Sequence, residues 1–294
     1  MMKIHEVAAR DGLQNESTIF STEQKMRLLE LLAQTKPDSL EVTSFVRADR
    51  VPQFADAIEL CHRLKSAEWR EGIPLVGLVM NMRGYERFSD SGLDAITAVI
   101  GANQEFSRAN SGMSVDDAVQ VNSEIVAAAK RDGVPVRMYL SMAFGSPQSA
   151  VEKNLVAELV AASAEMGVER VVLSDTVGVG RPELVHEIID SAQRYLPIDK
   201  IGLHMHDTYS NALENCAEGL KLGVEFFDAS AGGTGGCPFA PGASGNLATG
   251  ALFDLAQRND CASTQTSLAA IDAASDFLSS VLNKPLARGA KLCP

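Results

Sequence analysis

The sequence predicts an α/β fold of the TIM-barrel class, a closed (β/α)8 barrel, and three observations lead to this. Short apolar runs typical of strands alternate with amphipathic helical patterns along the 294 residues. A helix between two strands returns the chain to the same edge of the sheet, so the strands are expected to be parallel. Eight such units within about 230 residues suit a closed barrel better than an open sheet. No Gly-x-Gly-x-x-Gly follows the first strand, which further disfavours a dinucleotide-binding fold.

The strands are expected in chain order, each followed by a helical pattern. The clearest helix spans 114–131, where apolar residues recur at the 3.6-residue period. A further helical segment over 263–282 follows the last β/α unit, as a C-terminal addition to the barrel. With no linker or low-complexity stretch, one domain over 1–294 is expected. The predicted strands are 3–9, 39–45, 74–80, 95–100, 135–142, 170–175, 200–206 and 225–230.

Helix ends carry their own signals. A serine followed three residues later by an acidic residue or a glutamine resembles a capping box at a helix start. This pattern begins at Ser21, Ser114 and Ser149. Several helices are then expected to end at a glycine, because glycine adopts the left-handed conformation that turns the chain back toward the sheet. Those glycines are Gly133, Gly167 and Gly223.

Composition excludes several classes of protein. The net charge of −12 argues against a nucleic-acid-binding role, because phosphate contacts need clusters of Lys and Arg. No apolar run approaches 18 residues, so no membrane span is expected, and the first residues lack a signal-peptide pattern. We therefore expect a cytoplasmic protein with reduced thiols. Its cysteines are scattered: Cys61, Cys216, Cys237, Cys261 and Cys293.

The most informative stretch is the predicted seventh strand, which carries His204 and His206 near its end. Side chains alternate between the faces of a strand, so the two imidazoles point the same way. Histidine is scarce here, with five in the chain, and two parallel imidazoles are half of a divalent metal site. The alternative is a pair of hydrogen-bonded structural histidines. Asp207, which follows, is expected to be the N-cap of a helix that starts near Tyr209.

Reactive residues also follow the other predicted strands, where the active sites of such barrels form. Asp11 is the natural carboxylate partner of the two histidines, although Asp-Gly is also a common turn. Arg10 is either a surface ion-pair residue or a group that stabilises an enolate or thioester oxygen. Glu41 and Asp175 are either catalytic or structural carboxylates.

A glycine-rich loop over 231–246 follows the eighth strand. Such a loop can close over a ligand, because its glycines allow hinge motion. A phosphate-binding loop is a further alternative, but the Gly-Lys-Ser/Thr ending of such loops is not present. Cys237 lies in its middle, where a thiol suits proton transfer to or from carbon. Asn246 is either the N-cap of the next helix or a ligand that completes a metal shell.

These segments resemble 3-hydroxy-3-methylglutaryl-CoA lyases, and the resemblance is collinear over nearly the whole chain. The last loop is the part most specific to that family. The Arg-Asp-Gly and His-x-His elements are shared with a wider superfamily of metal-dependent barrel lyases and Claisen-type synthases. The matching segments are Arg10 to Glu16, Thr43 to Val46, Asp175 to Gly180, His204 to Tyr209, Gly235 to Ala240 and Gly242 to Thr249.

The resemblance implies cleavage of an acyl-CoA substrate, 3-hydroxy-3-methylglutaryl-CoA, to acetyl-CoA and acetoacetate. It implies a Mg²⁺ or Mn²⁺ ion held by the set Asp11, His204, His206 and Asn246. Arg10 would then stabilise the acetyl-CoA enolate and Cys237 would protonate its carbon. Glu41, Asp175 and Gln14 resemble supporting or proton-relay groups, and His204 counts among the catalytic residues as well as the ligands. A homodimer or higher homo-oligomer is also expected.

The chain departs from the family pattern on the side that faces substrate. None of the departures removes an expected metal ligand or the loop thiol, but they leave open a related lyase or Claisen-type synthase with another branched 3-hydroxyacyl-CoA. A non-catalytic barrel that binds a ligand is a third alternative, against which the intact set of reactive residues counts. The departures are at Gly145 to Ala150, Ser210 to Asn211, Ala229 to Thr234 and Gly250.

Overall fold

Eight parallel strands close into a barrel in chain order, with the last strand paired to the first. This is the arrangement in the computed structural model, which describes residues 1–236, 245–263 and 265–287. The predicted fold class is confirmed. The strands are β1 (Lys3–Glu6), β2 (Ser39–Ser44), β3 (Leu75–Leu78), β4 (Ala95–Gly101), β5 (Val136–Ser141), β6 (Arg170–Asp175), β7 (Ile201–Met205) and β8 (Phe226–Ala229).

The helices surround this barrel, and most of the predicted helix ends are confirmed. Ser21 forms a complete capping box with Gln24, and the Ser114 hydroxyl accepts the N–H of Asp117. The capping box predicted at Ser149 is wrong, because Ser149 is still part of a turn with Ser146. The helices are α1 (Thr22–Gln34), α2 (Ala57–Leu64), α3 (Met82–Ser89), α4 (Gln104–Ser111), α5 (Val115–Arg131), α6 (Lys153–Met166), α7 (Pro182–Ala192), α8 (Ala212–Lys221), α9 (Thr249–Arg258) and α10 (Leu268–Leu282).

Glycine ends helices as expected. Gly133, Gly167 and Gly223 all have positive φ, of 71°, 80° and 96°. L-residues rarely adopt this conformation, so glycine lets the chain turn toward the next strand without strain.

Residues on the strands alternate between two buried environments. On β2, Leu40 and Val42 belong to the apolar core between barrel and helices, whereas Glu41 and Thr43 alternate with them and are equally buried. Because side chains alternate along a strand, the second pair points into the barrel. The barrel interior therefore holds polar groups that apolar side chains insulate from the helical layer.

The first strand is shorter than predicted, and this places the residues that follow it. β1 ends at Glu6, whereas the sequence predicted a strand over 3–9, and Ala8–Gly12 form a single π-helical turn. The Glu6 carboxylate accepts the backbone N–H groups of Ala8 at 2.9 Å and Ala231 at 3.0 Å. A buried carboxylate that binds the backbone two residues ahead draws the chain into a turn instead of an extended strand.

The predicted C-terminal helical segment is present as α10, which begins five residues later than the predicted start at residue 263. It packs against α1 and against the turn Ala231–Gly233 that follows β8. Beyond α10, Ala287 donates its N–H to the carbonyl of Gly232 at 3.1 Å. The end of the described chain therefore contacts the base of the glycine-rich loop. None of the helices formed by the described residues combines the length and the hydropathy that a bilayer crossing requires.

Candidate metal centre and active-site cavity

Asp11, His204 and His206 come together at the carboxyl end of the barrel strands. Each offers one ligand atom, and these three atoms lie within 4.8 Å of one another. Asp11 lies in the π-helical turn after β1. His204 lies on β7, and His206 is the first residue beyond the end of that strand. Gly12 allows the close approach of this turn, because a Cβ there would lie 2.5 Å from the Thr234 hydroxyl. The glycine therefore serves close packing, and its φ is not positive.

His204 is oriented by a carboxylate beneath it. Its Nδ1 lies 2.9 Å from Oδ2 of Asp228 on β8, and its Nε2 lies 3.1 Å from Nε2 of His206. Hydrogen bonding to Asp228 places the proton of a neutral ring on Nδ1 and leaves the Nε2 lone pair free for a cation. Burial disfavours the charged ring, but the hydrogen bond and charge of Asp228 outweigh it and raise the pKa of His204.

His206 is held neutral by its surroundings. Burial, together with the neighbouring His204, lowers the pKa of His206 to about 4. Its Nδ1 is buried and has no hydrogen-bond partner among the described residues. A neutral imidazole is the form that binds metal ions.

Asn246 lies at this centre and is not a helix cap. α9 begins at Thr249, so the interpretation of Asn246 as its N-cap is wrong. The amide nitrogen of Asn246 donates to Oδ2 of Asp11 at 2.8 Å and to the carbonyl of Thr234 at 3.0 Å. Its amide oxygen is buried without a partner among the described residues. A buried acceptor of this kind is one that a bound cation would satisfy.

Arg10 is buried in an ion-pair chain and is not a surface residue. Its Nε donates to Glu41 at 2.6 Å and its Nη1 to Asp11 at 2.6 Å. Burial disfavours ionisation of Asp11, but the charges of Arg10 and the two histidines outweigh it and hold the pKa of Asp11 well below its usual range. Burial also raises the pKa of Glu41, which Arg10 opposes. Asp11 therefore reaches a cation as a carboxylate, while Glu41 fixes the guanidinium.

Arg10, Asp11, His204 and His206 line the buried end of a cavity of about 740 Å³. Gln14 lines the cavity, and its side chain has no hydrogen-bond partner among the described residues. Tyr139 of β5 also lines the cavity, next to His204, with ring centroids 6.0 Å apart. A cavity of this size with a few converging polar groups is typical of a small-molecule site.

Asp175 lies close to this centre, where its backbone carbonyl accepts the N–H of His206 at 3.3 Å, but the hydrogen bonds of its carboxylate go elsewhere. Its carboxylate accepts the backbone N–H groups of Val179 at 3.0 Å and Gly180 at 2.8 Å, and the residue does not line the cavity. Burial raises the pKa of Asp175 to about 6, against the effect of these amides. The structure thus places Asp175 as a support of the loop after β6, and its catalytic role stays a prediction.

Asp207 supports the next helix in a different way from that predicted. α8 begins at Ala212, three residues beyond the predicted start near Tyr209, and its N-cap is Asn211. The Asp207 carboxylate nonetheless accepts the N–H of Ala212 at 3.1 Å. Asp207 therefore braces the start of α8 from a position outside the helix.

Cys237 lies outside the described residues, but both flanks of its loop are described. Asn15 donates to the carbonyl of Gly236 at 2.9 Å. Gly235 has φ of 124°, and a Cβ there would lie 2.5 Å from the Asn246 amide nitrogen. The chain on the N-terminal side of Cys237 is therefore packed directly against the candidate metal centre.

Two further carboxylates support the centre and were not singled out from the sequence. Asp228 lies within the predicted eighth strand, and its position two residues after Phe226, on the same strand face, was a usable signal. Glu6, which binds Ala8, Ala231 and the Thr249 hydroxyl, gave no signal because its partners are distant in sequence.

The donor set fits a divalent cation. It offers two imidazole nitrogens, one carboxylate and the unpartnered amide oxygen of Asn246. Mixed nitrogen and oxygen ligands of this kind are used for divalent cations, and the set by itself does not exclude Zn²⁺.

Known proteins resemble this chain over nearly its whole length. The family model described as HMGL-like matches residues 1–278. The 3-hydroxy-3-methylglutaryl-CoA lyase of Danio rerio is 36% identical over 96% of this chain and 84% of its own length. The hydroxymethylglutaryl-CoA lyase YngG of Bacillus subtilis is 33% identical over 96% and 94%.

Solved structures of HMG-CoA lyases resemble this chain in fold. The HMG-CoA lyase of Brucella melitensis has a TM-score of 0.91 at 34% identity, covering 96% of this chain and 99% of its own. An HMG-CoA lyase of Acinetobacter baumannii, in complex with coenzyme A and 3-methylmalate, has a TM-score of 0.90 at 28% identity, covering 100% and 97%.

Proposed function

This chain belongs to the HMGL-like family, and from that premise we propose that it is a divalent-metal-dependent carbon–carbon lyase that cleaves 3-hydroxy-3-methylglutaryl-CoA to acetyl-CoA and acetoacetate. The observation that carries the proposal is the cluster of Asp11, His204 and His206 at the buried end of the large cavity. A purely structural pair of histidines would not need a third ligand-bearing group beside it.

Asp11, His204, His206 and Asn246 are the residues that would hold the cation, Mg²⁺ or Mn²⁺. A bound cation would supply Lewis-acid polarisation of the tertiary hydroxyl and of a carboxylate oxygen of the substrate. The chain prepares for this in three ways. Asp228 sets the tautomer of His204, burial keeps His206 neutral, and Arg10 keeps Asp11 ionised.

Arg10 is placed to stabilise the product enolate. When the C3 hydroxyl gives its proton to a basic group of the site, the C2–C3 bond breaks and C3 becomes the ketone carbon of acetoacetate. The electron pair of that bond moves to the thioester, which becomes the enolate of acetyl-CoA. Glu41 holds the Arg10 guanidinium from the buried side, so that Arg10 reaches the enolate oxygen with its orientation already fixed.

The enolate carbon then needs a proton, which we assign to Cys237. The residue before it in the glycine-rich loop, Gly236, lines the cavity and accepts a hydrogen bond from Asn15. We assign Gln14, which lines the cavity, a supporting or proton-relay role, and Asp175 a positioning role through the loop after β6. The assignments of Gln14 and Asp175 rest on the likeness to the family and on the positions of the two residues.

The test is coupled detection of acetyl-CoA from the purified protein with Mg²⁺ and 3-hydroxy-3-methylglutaryl-CoA. Release at rates that saturate with substrate supports the proposal. Release only from other branched 3-hydroxyacyl-CoA esters would instead support the related lyase or synthase. Absence of both turnover and metal binding would leave a ligand-binding barrel.

Two further expectations belong with this proposal. We propose a homodimer or higher homo-oligomer in the cytoplasm. Light scattering of the purified protein coupled to size-exclusion chromatography would test the assembly, and a monomer at micromolar concentration would contradict it.

A further inference from the structure

A further buried histidine lies below the metal centre, and no step of the proposed reaction uses it. His5 lies on β1, in register with Ser39 of β2 on one side and with Asp228 of β8 on the other. Side chains of residues in register on parallel strands point to the same face, which here is the barrel interior. His5 and Asp228 are both buried, with 0% and 2% of their surface exposed. His5 therefore lies beside the carboxylate that orients His204.

The contacts of one ring nitrogen fix the tautomer of His5. Nη1 of Arg137 lies 3.1 Å from Nδ1 of His5 and donates to the Ser39 hydroxyl at 2.8 Å. That hydroxyl lies 2.7 Å from the same Nδ1. A guanidinium has only donors, so Nδ1 accepts and the proton of a neutral ring is on Nε2. Burial, followed by the charge of Arg137, lowers the pKa of His5 well below its ordinary value, so the ring is neutral.

The same residues close the amino-terminal end of the barrel. The guanidinium carbon of Arg137 lies 5.0 Å from the centre of the Phe226 ring, and the His5 ring stacks on that phenyl group at 5.8 Å. A structural plug of this kind uses Nδ1 and the ring face of His5. It gives no role to Nε2, whose proton points into the barrel.

Three buried polar atoms have no hydrogen-bond partner among the described residues: Nε2 of His5, Oδ1 of Asp228 and the hydroxyl oxygen of Tyr139 on β5. The Asp228 atom is the carboxylate oxygen left free by His204, which binds Oδ2. Burial, followed by the nearby charge of Asp228, raises the pKa of Tyr139 well above its ordinary value, which is consistent with a hydroxyl close to that carboxylate. Buried polar groups without protein partners typically share an ordered water, which makes about three hydrogen bonds.

We propose that His5 is a positioning residue for the metal centre. Its Nε2–H and the Tyr139 hydroxyl hold the free oxygen of Asp228 through one shared water, and Asp228 in turn orients His204. The inference rests on the proposed function, which places a cation on His204. It extends the support of the cation from the carboxyl end of the barrel to Arg137 at the amino end.

The first measurement is nuclear magnetic resonance of the imidazole nitrogens in the metal-free wild type at neutral pH. His5 is expected to show a protonated Nε2 and an unprotonated Nδ1. The result requires no variant to fold. A proton on Nδ1 of His5 would overturn the inference, because Nε2 would then have nothing to donate.

The second measurement is the Kd for Mn²⁺, followed by electron paramagnetic resonance. Asparagine can present an amide oxygen to Arg137 in place of Nδ1 but is too short to reach the position of Nε2, whereas glutamine can place an N–H there. We expect the Kd to rise about fivefold in His5→Asn, less than on loss of Asp228 itself, and to change less than about twofold in His5→Gln. His62→Asn is the matched control, because His62 is an exposed histidine of α2.

A double variant separates a positioning role from a merely structural one. Because His5 acts through Asp228, His5→Asn combined with Asp228→Asn is expected to bind Mn²⁺ no more weakly than Asp228→Asn alone. Losses that add in the double variant would overturn the inference, as would an unchanged Kd in His5→Asn or an equal loss in His62→Asn. A protein with the expected pattern of Mn²⁺ affinities that cleaves no thioester would contradict the proposed function alone. A lyase whose Mn²⁺ affinity is the same with and without the His5 imidazole would contradict this inference alone.

Discussion

Asp228 lies 2.9 Å from Nδ1 of His204, and this contact joins the eighth strand of the barrel to the seventh beneath the candidate metal centre. Both side chains are buried, so few other groups compete for the bond. The contact fixes the plane of the imidazole and directs its second nitrogen toward His206. The geometry of the centre therefore depends on a carboxylate that is not itself a member of the ligand cluster.

The first prediction concerns this carboxylate. Asp228→Asn removes the charge that favours Nδ1 protonation of His204, and we expect Mn²⁺ affinity to fall by roughly ten- to a hundredfold. Titration of Mn²⁺ followed by electron paramagnetic resonance measures the change. Asp199→Asn, at a residue near the amino end of β7 and away from the cavity, is the control. Unaltered affinity in Asp228→Asn would show that His204 is oriented by other contacts.

The second prediction concerns the cation and stability. A ligand that binds only the folded state stabilises it, by about 2.7 kcal/mol at a concentration of one hundred times its Kd. We therefore expect Mn²⁺ to raise the free energy of unfolding of the wild type and to leave that of His206→Ala nearly unchanged. Urea unfolding with Mn²⁺ and with EDTA measures both. An equal gain in the two proteins would place the bound ion elsewhere.

The third prediction concerns the buried ion-pair chain. Arg10→Met leaves Glu41, which is 0% exposed, without its cation. Such a change costs about 3–5 kcal/mol, whereas the double substitution Arg10→Met with Glu41→Gln is expected to recover part of that loss. Chemical unfolding of both variants gives the two values. If the second substitution added its own cost instead, the charge of Glu41 would not be the cause.

The fourth prediction concerns Glu6, whose pKa burial raises to about 7 despite hydrogen bonds from Thr249 and two backbone amides. The folded state then holds a proton that the unfolded state releases near pH 4.5. Stability is therefore fully present below that pH and decreases by about 3 kcal/mol as pH rises to about 7.

Glu6→Gln has no such proton to lose, so its unfolding free energy should lack this decrease. Urea unfolding between pH 4.5 and 8 compares the variant with the wild type. Glu71→Gln, at an exposed glutamate, should keep the slope of the wild type. Identical slopes for the wild type and Glu6→Gln would refute the assignment.

The fifth prediction concerns Cys237. A serine hydroxyl is a much weaker acid than a thiol, so Cys237→Ser should reduce kcat by at least about a hundredfold. Mn²⁺ affinity should stay near that of the wild type, because a proton donor is not a metal ligand. Normal turnover by the serine variant would remove Cys237 from the mechanism, and lost Mn²⁺ affinity would indicate a structural role.

The barrel and the two histidines were accessible from sequence because both depend on local periodicity. Alternation along β7 places His204 and His206 on one face whatever surrounds the strand. The family was accessible because its motifs are contiguous, and the relatives bear hydroxymethylglutaryl-CoA lyase names in agreement with the expected activity. The domain limits of 1–294 stay a prediction, as do the roles of the individual site residues.

Features that depend on distant partners were not accessible. The strand over 3–9 was predicted too long because Glu6 turns the chain through a bond to Ala231, 225 residues away. The interpretation of Asn246 stayed open between cap and ligand until the start of α9 was known. Asp175 looked like a cavity residue from its strand-end position, yet its carboxylate accepts hydrogen bonds from the backbone of its own loop.

Closure of β1 onto β8 has a consequence for biosynthesis. Asp11 and Asn246, which are hydrogen-bonded at 2.8 Å, lie 235 residues apart in the chain. A nascent polypeptide leaving the ribosome therefore carries Asp11 for most of translation before His204, His206 and Asn246 are made. Because contacts of such separation form late, a partly synthesised chain lacks the complete cluster of Asp11, His204 and His206.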